Sequence, residues 1–166
     1  MIPYQLLYCG DLQPISMKFP AYQDRIFTDT PIMGTLLDLA ISFTENGQGC
    51  IVISGEMNTR YLYRRFLNKI SEKEASCPGY DKTELNGLCL SSTPQSAPVT
   101  PRYCKEVIDR RRSVDNPKVV LVDWLETGNY GALKDLKDYV LLRGMAVIYA
   151  KQLPRALATT NVGVTV

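Results

Sequence analysis

The amino-acid sequence predicts an α/β fold in which a mostly parallel central sheet is flanked by helices. Two observations carry this. Cys50-Ile-Val-Ile-Ser54, Lys118-Val-Val-Leu-Val-Asp123 and Gly144-Met-Ala-Val-Ile-Tyr-Ala150 are apolar runs without polar alternation, as strands buried on both faces of a parallel sheet require. Between them lie segments whose apolar residues recur at helical spacing, and strands that alternate with helices imply right-handed crossovers. The 166 residues suit one domain spanning the chain, long enough to bury about two-thirds of its unfolded surface.

Taken in order, Tyr4 to Cys9 is a short apolar run that fits a strand, followed by the turn Gly10-Asp11 and a Pro-containing stretch to Pro20. Arg25-Ile-Phe-Thr28 is a second short strand candidate. Asp29-Thr30-Pro31 then breaks the chain before Gly34 to Phe43, where Leu36, Leu39, Ala40 and Phe43 predict a helix ended by Asn46-Gly47. After the strand Cys50 to Ser54, Gly55 to Asn58 leads into a helix with Leu62, Phe66 and Ile70 stacked four apart and Asn58 as N-cap. Residues 71–101 hold two glycines and four prolines and read as an irregular insertion with a hairpin at Asn86-Gly87. A short basic helix from about Pro101 to Arg112 precedes the strand closed by Asp123 and Trp124. Ala132 to Leu142 is another amphipathic helix, with Leu133, Leu136 and Val140 inward, ahead of the last strand.

An apolar share of 45% and a charged share of 22% describe an ordinary globule, neither disordered nor fibrous. No apolar stretch approaches the roughly 18 residues of a membrane span, and MIPYQLLYCGDLQP lacks the basic flank and apolar core of a signal peptide. A cytoplasmic location is expected, or a host cell's cytoplasm for a viral protein. Cys9, Cys50, Cys77, Cys89 and Cys104 are widely spaced, no Cys-x-x-Cys pair occurs, and histidine is absent. This argues against zinc and excludes Ser-His and Cys-His nucleophilic chemistry. Free thiols are expected, and only a thermophilic source would favour a disulfide within Cys77, Cys89 and Cys104.

Three of the buried strands end in polar groups: Glu56, Asp123 and Gln152. Strand ends are wet, so polar residues belong there. Yet ligands of open α/β sheets bind outside the carboxyl ends of the strands. An acid that orients water, an aspartate that holds a metal and an amide that senses a phosphate are parts a nucleotide hydrolase gathers in one crevice. ISGEMNTRYLYRRFL, VVLVDWL and AKQLPRAL, in that order, resemble three segments of the RecA-like ATPase core of DnaB-type replicative helicases. The resemblance spans about Asp24 to Leu157. It maps the glutamate of the family's Ser-x-Glu-Met signature to Glu56, its magnesium-linked aspartate to Asp123, and its Gln-Leu-Asn-Arg motif to Gln152, Leu153 and Arg155, with Pro154 where asparagine is usual.

DTPIMGTLLDLA stands where that family carries Pro-Gly-x-Gly-Lys-Thr. Pro31, Met33, Gly34 and Thr35 find counterparts, which leaves Gly34 and Thr35 as a degenerate nucleotide-binding pair. Ile32 replaces a glycine, and the lysine is missing. A β-branched residue resists positive φ and closes the loop, and a lost charge-assisted hydrogen bond costs about 1.5 to 3 kcal/mol in binding alone. Lys18 and Lys151 are the candidate substitutes for that lysine. The family's later strands with the arginine finger and its N-terminal helical domain have no counterpart.

The resemblance therefore implies a RecA-like core without efficient ATP hydrolysis and without a resident cofactor, serving as a nucleic-acid-binding or protein-binding module, such as an accessory protein of a virus or mobile element. One alternative is a weak ATPase linked to replication or recombination, in which Glu56 activates water, Asp123 and Thr35 hold magnesium with ATP, and Gln152 senses the γ-phosphate. The other is a protein that docks on a host RecA-type oligomer. Net charge is only +2, but Arg60, Arg64, Arg65 and Lys69 cluster in one segment and Arg102, Lys105, Arg110, Arg111 and Arg112 in another. Balanced by Glu72, Glu74, Glu106 and Asp109 they are two solvated helix faces. Binding of single-stranded nucleic acid requires those arginines, or Lys151 and Arg155 at the rim, to form one continuous stripe.

Overall fold

Strands that are apolar on both faces need cover on both sides, and the chain supplies it with two pairs of helices. The computed structural model describes residues 2–15, 19–93 and 97–154. Its strands are β1 (Tyr4–Gly10), β2 (Ile26–Phe27), β3 (Gly49–Ser54), β4 (Leu88–Ser92), β5 (Pro117–Val122) and β6 (Ala146–Gln152). Its helices are α1 (Ile32–Glu45), α2 (Thr59–Ser76), α3 (Pro101–Asp115) and α4 (Tyr130–Leu142). The sheet order is β2-β1-β6-β5-β3-β4.

Pleating sends alternate residues to opposite layers. Cys50, Val52, Val119, Leu121, Ala146 and Ile148 pack with α1 and α2. Their neighbours Ile51, Ile53, Val120, Val122, Val147 and Tyr149 pack with α3 and α4. The helices start where side chains can hold their first N–H groups: Asn58, Thr100 and Asn129 accept from the N–H groups of Tyr61, Tyr103 and Ala132. The exception is α1, which begins after Pro31 with no side-chain cap.

Strands β6, β5, β3 and β4 are mutually parallel, as the apolar runs predict. Strand β1 is antiparallel to β6 along its whole length, from Tyr4 opposite Gln152 to Gly10 opposite Ala146, and β2 is antiparallel to β1. The expected hairpin at Asn86-Gly87 does not form. Those residues close a 3₁₀ turn, Lys82–Gly87, that leads into β4, and β4 runs parallel to β3 with Cys50 opposite Leu88. A hairpin needs a strand on both sides of Asn-Gly, whereas here α2 continues to Ser76 and Asp81 then holds the N–H of Thr83. Residues 71–101 thus contain the end of a helix and an edge strand as well as loop. None of the described cysteines forms a disulfide, and no described helix is long and apolar enough to cross a membrane.

The winding reverses within the parallel set. From β3 the chain crosses through α2 on one face to β4; from β5 it crosses through α4 on the other face to β6. Helices on opposite faces leave in opposite directions, so the loops after β3 and β5 part from each other. That is a topological switch point, the place where open α/β sheets bind ligands.

Candidate functional site

Ser54 and Asp123 close β3 and β5 side by side at this switch point. The Ser54 hydroxyl donates to one carboxylate oxygen of Asp123 at 2.6 Å, and the Gly55 N–H donates to the other at 2.9 Å. Ser54 Oγ in turn accepts from the N–H groups of Met57 at 2.8 Å and Glu56 at 3.2 Å. One buried serine thus bends the chain out of β3 into α2 and aims its proton at a buried aspartate. Burial pushes the Asp123 pKa up, and the Ser54, Gly55 and Trp124 donors oppose that shift without cancelling it. Glu56, exposed on the same turn, is raised by partial burial and then by the neighbouring Asp123 charge.

The crevice between β3 and β5 is not open. The connection from β4 to α3 crosses it: the Ala97 N–H donates to the Gly55 carbonyl at 3.0 Å, and Val99 exchanges hydrogen bonds with Trp124 and Glu126. The Ala97 carbonyl passes so close to Gly55 that a β-carbon there would lie 2.4 Å from it. The open space lies one strand over. A cleft of about 430 Å³ is bounded by the ends of β5 and β6 and the start of α4, and Asp123, Trp124, Tyr130, Tyr149, Lys151 and Gln152 line it. Trp124 is 40% exposed and Tyr130 84%.

The edge strand β2 also points its carboxyl end to this edge, since it is antiparallel to β1 and β1 to β6. The stretch that resembles a phosphate loop follows it, but only residues 28–31 separate β2 from α1, and Gly34 already lies inside the helix. The buried Thr35 hydroxyl is 2.7 Å from the Tyr4 hydroxyl and 3.5 Å from the Pro31 carbonyl, and its N–H donates to Pro31 in the first helical turn. Tyr4 is itself fixed, stacked on Phe27 at 5.0 Å. Tyr4 sits on β1, with β6 between it and β5; the Thr35 hydroxyl is thus engaged by Tyr4, and the Asp123 carboxylate by Ser54 and Gly55.

Asp123, Lys151 and Gln152 therefore line one cleft, Glu56 lies beside Asp123, and Gly34 and Thr35 belong to the first turn of α1, where Thr35 is bonded to Tyr4. Arg155 and Lys18 lie outside the described residues. Arg110, Arg111 and Arg112 are elsewhere. Helix α3 starts beside the switch point and runs back along the sheet, so these residues reach the end from which β5 departs, about 20 Å from its carboxyl edge. Among the described residues they thus lie at the opposite end of β5 from Lys151. Trp124, Tyr130 and Tyr4 are the site residues that sequence reading passes over; Trp124 adjoins Asp123 and Tyr130 follows the Asn129 cap, but only the fold brings both to the border of the cleft. Comparison with protein-family models, curated proteins and solved structures finds no match for this chain.

Proposed function

We propose that this chain is a RecA-like module that binds nucleic acid at the carboxyl edge of its sheet and does not hydrolyse ATP efficiently. The observation that carries the reading is the make-up of the cleft. Two exposed aromatics, Trp124 and Tyr130, flank it, Lys151 brings a cation to its mouth, and the Asp123 carboxylate is turned inward onto Ser54 and Gly55. Aromatic faces beside a cation are what an unpaired base and its phosphate require, and stacking tolerates any base. The weak-ATPase alternative loses support from the Thr35–Tyr4 bond, because a hydroxyl committed to a buried tyrosine is withdrawn from magnesium.

Trp124 is the only tryptophan in the chain, so its emission reports this cleft alone. Titration with single-stranded oligonucleotides at low salt should quench it, and Lys151→Ala should weaken the quenching. Unchanged Trp124 emission, together with steady phosphate release abolished by Glu56→Gln and Asp123→Asn, would overturn the proposal in favour of an ATPase.

A further inference from the structure

The first half of α2 carries cations that its own helix does not want. Arg60 lies in the first turn, where the helix dipole favours negative charge, and its neighbour one turn on is Arg64, a like charge. In α3 the arginine at the equivalent early position, Arg102, faces Glu106 one turn on at 3.4 Å. Later along α2 the lysines are matched: Lys69 with Asp38 at 2.9 Å and Lys73 with Glu45 at 3.2 Å. Arg60, Arg64 and Arg65 have no carboxylate partner among the described residues, and the sequence offers no acid between Glu56 and Glu72. Folding alone gives no reason for this arrangement, and local rules are broken where function asks for it.

Two aromatics share the surface. Tyr61 is 56% exposed and Tyr63 52%, and the Arg64 guanidinium lies 5.8 Å from the Tyr61 ring centroid. The inward positions of the helix are Leu62, Phe66 and Ile70, so Arg60, Tyr61 and Arg64 belong to the opposite, solvent face at 100° per residue. From these observations we infer that the first half of α2 is a binding surface for single-stranded nucleic acid, in which the arginines neutralise phosphates and Tyr61 stacks on a base. A protein partner is the competing occupant. Uncompensated positive charge in every outward cation of the segment favours the polyanion.

This inference names a second surface for the partner class proposed above and rests on that reading. Its test is fluorescence anisotropy of a labelled oligothymidylate across a salt series, with the whole chain. Each neutralised phosphate of a single strand contributes roughly 0.7 to the log–log salt slope, so Arg60→Ala/Arg64→Ala/Arg65→Ala should flatten the slope by about 2. Tyr61→Ala should weaken binding roughly tenfold with little change in slope, and Lys73→Gln, a paired cation on the same helix, should change neither. All of these side chains except Lys73 are exposed, and circular dichroism checks that the helix is intact. If wild type binds no oligonucleotide at low salt, the nucleic-acid reading of the whole chain fails. If wild type binds and the triple variant keeps both affinity and slope, the α2 assignment alone is overturned, and the face passes to a protein partner.

Discussion

Replacing Ser54 with alanine tests the Ser54–Asp123 clamp most directly. The substitution removes the donor to a buried carboxylate, a charge-assisted bond of 2.6 Å, at a cost of about 1.5 to 3 kcal/mol. It also takes the acceptor from the Glu56 and Met57 N–H groups, which are only partly buried, so water limits that addition to about 1 kcal/mol. The expected total is about 2 to 4 kcal/mol, a fall in melting temperature of about 5 to 15 °C for a domain of this size. The sign of the pH dependence follows from Asp123. Its folded pKa lies above the ordinary value of 3.8, so its contribution to stability is full below that value and is lost as pH rises through the folded pKa. Ser54 bonds the charged form and lessens that loss. The Ser54→Ala penalty should therefore be larger near pH 7 than near pH 4, as read by urea denaturation followed by circular dichroism. A penalty below about 1 kcal/mol, or one equal at both pH values, would refute the clamp.

Asp123→Asn should flatten the same pH dependence between about pH 4 and neutrality, because it removes the titrating group. Gly55→Ala should cost about 2 kcal/mol or more in urea denaturation, since its β-carbon would meet the Ala97 carbonyl at 2.4 Å and both partners are backbone. Tyr4→Phe should cost about 1 kcal/mol through the Thr35 hydroxyl while leaving ATP affinity, measured by calorimetry, where it was. A thiol-disulfide reagent should modify the exposed Cys77 in the native protein and spare the buried Cys9, Cys50 and Cys104 until it unfolds; burial raises all three pKa values, that of Cys9 to about 11.

What the sequence made legible was set by periodicity and caps. Strands β3, β5 and β6 are apolar in every register, and Asn58 declares the start of α2 through a local rule. The polar ends of those strands were legible too, because parallel strands share a carboxyl edge. Strand direction at β1 was not: Tyr4 to Cys9 has the same apolar composition in either direction, and only pairing with β6 makes it antiparallel. The phosphate-loop stretch was ambiguous for a related reason. Thr35 suits a magnesium ligand and a buried hydroxyl equally, and its partner Tyr4, 31 residues away, cannot be read from the local sequence. The place of the α3 arginines was not legible either, since their distance from the rim depends on which way the helix runs along the sheet.

The covered switch point explains why binding is proposed one strand away from where the sheet would offer it. Between β3 and β5 the loops part and expose the Ser54 and Asp123 backbones, but the chain fills that gap with its own segment at Ala97 to Val99, bonded to Gly55, Trp124 and Glu126. Filling the gap desolvates Asp123, which must then be held by Ser54 and Gly55. The aspartate so held spans β3 and β5, the two strands whose outgoing helices pull apart. Trp124 is anchored through its carbonyl to Val99 at 2.7 Å, its ring edge lies against Gly55, and the residue lines the cleft together with Tyr130. Asp123, which resembles a magnesium-linked aspartate, joins β3 to β5 at their point of divergence through Ser54 and Gly55, and the residue after it, Trp124, lines the neighbouring cleft.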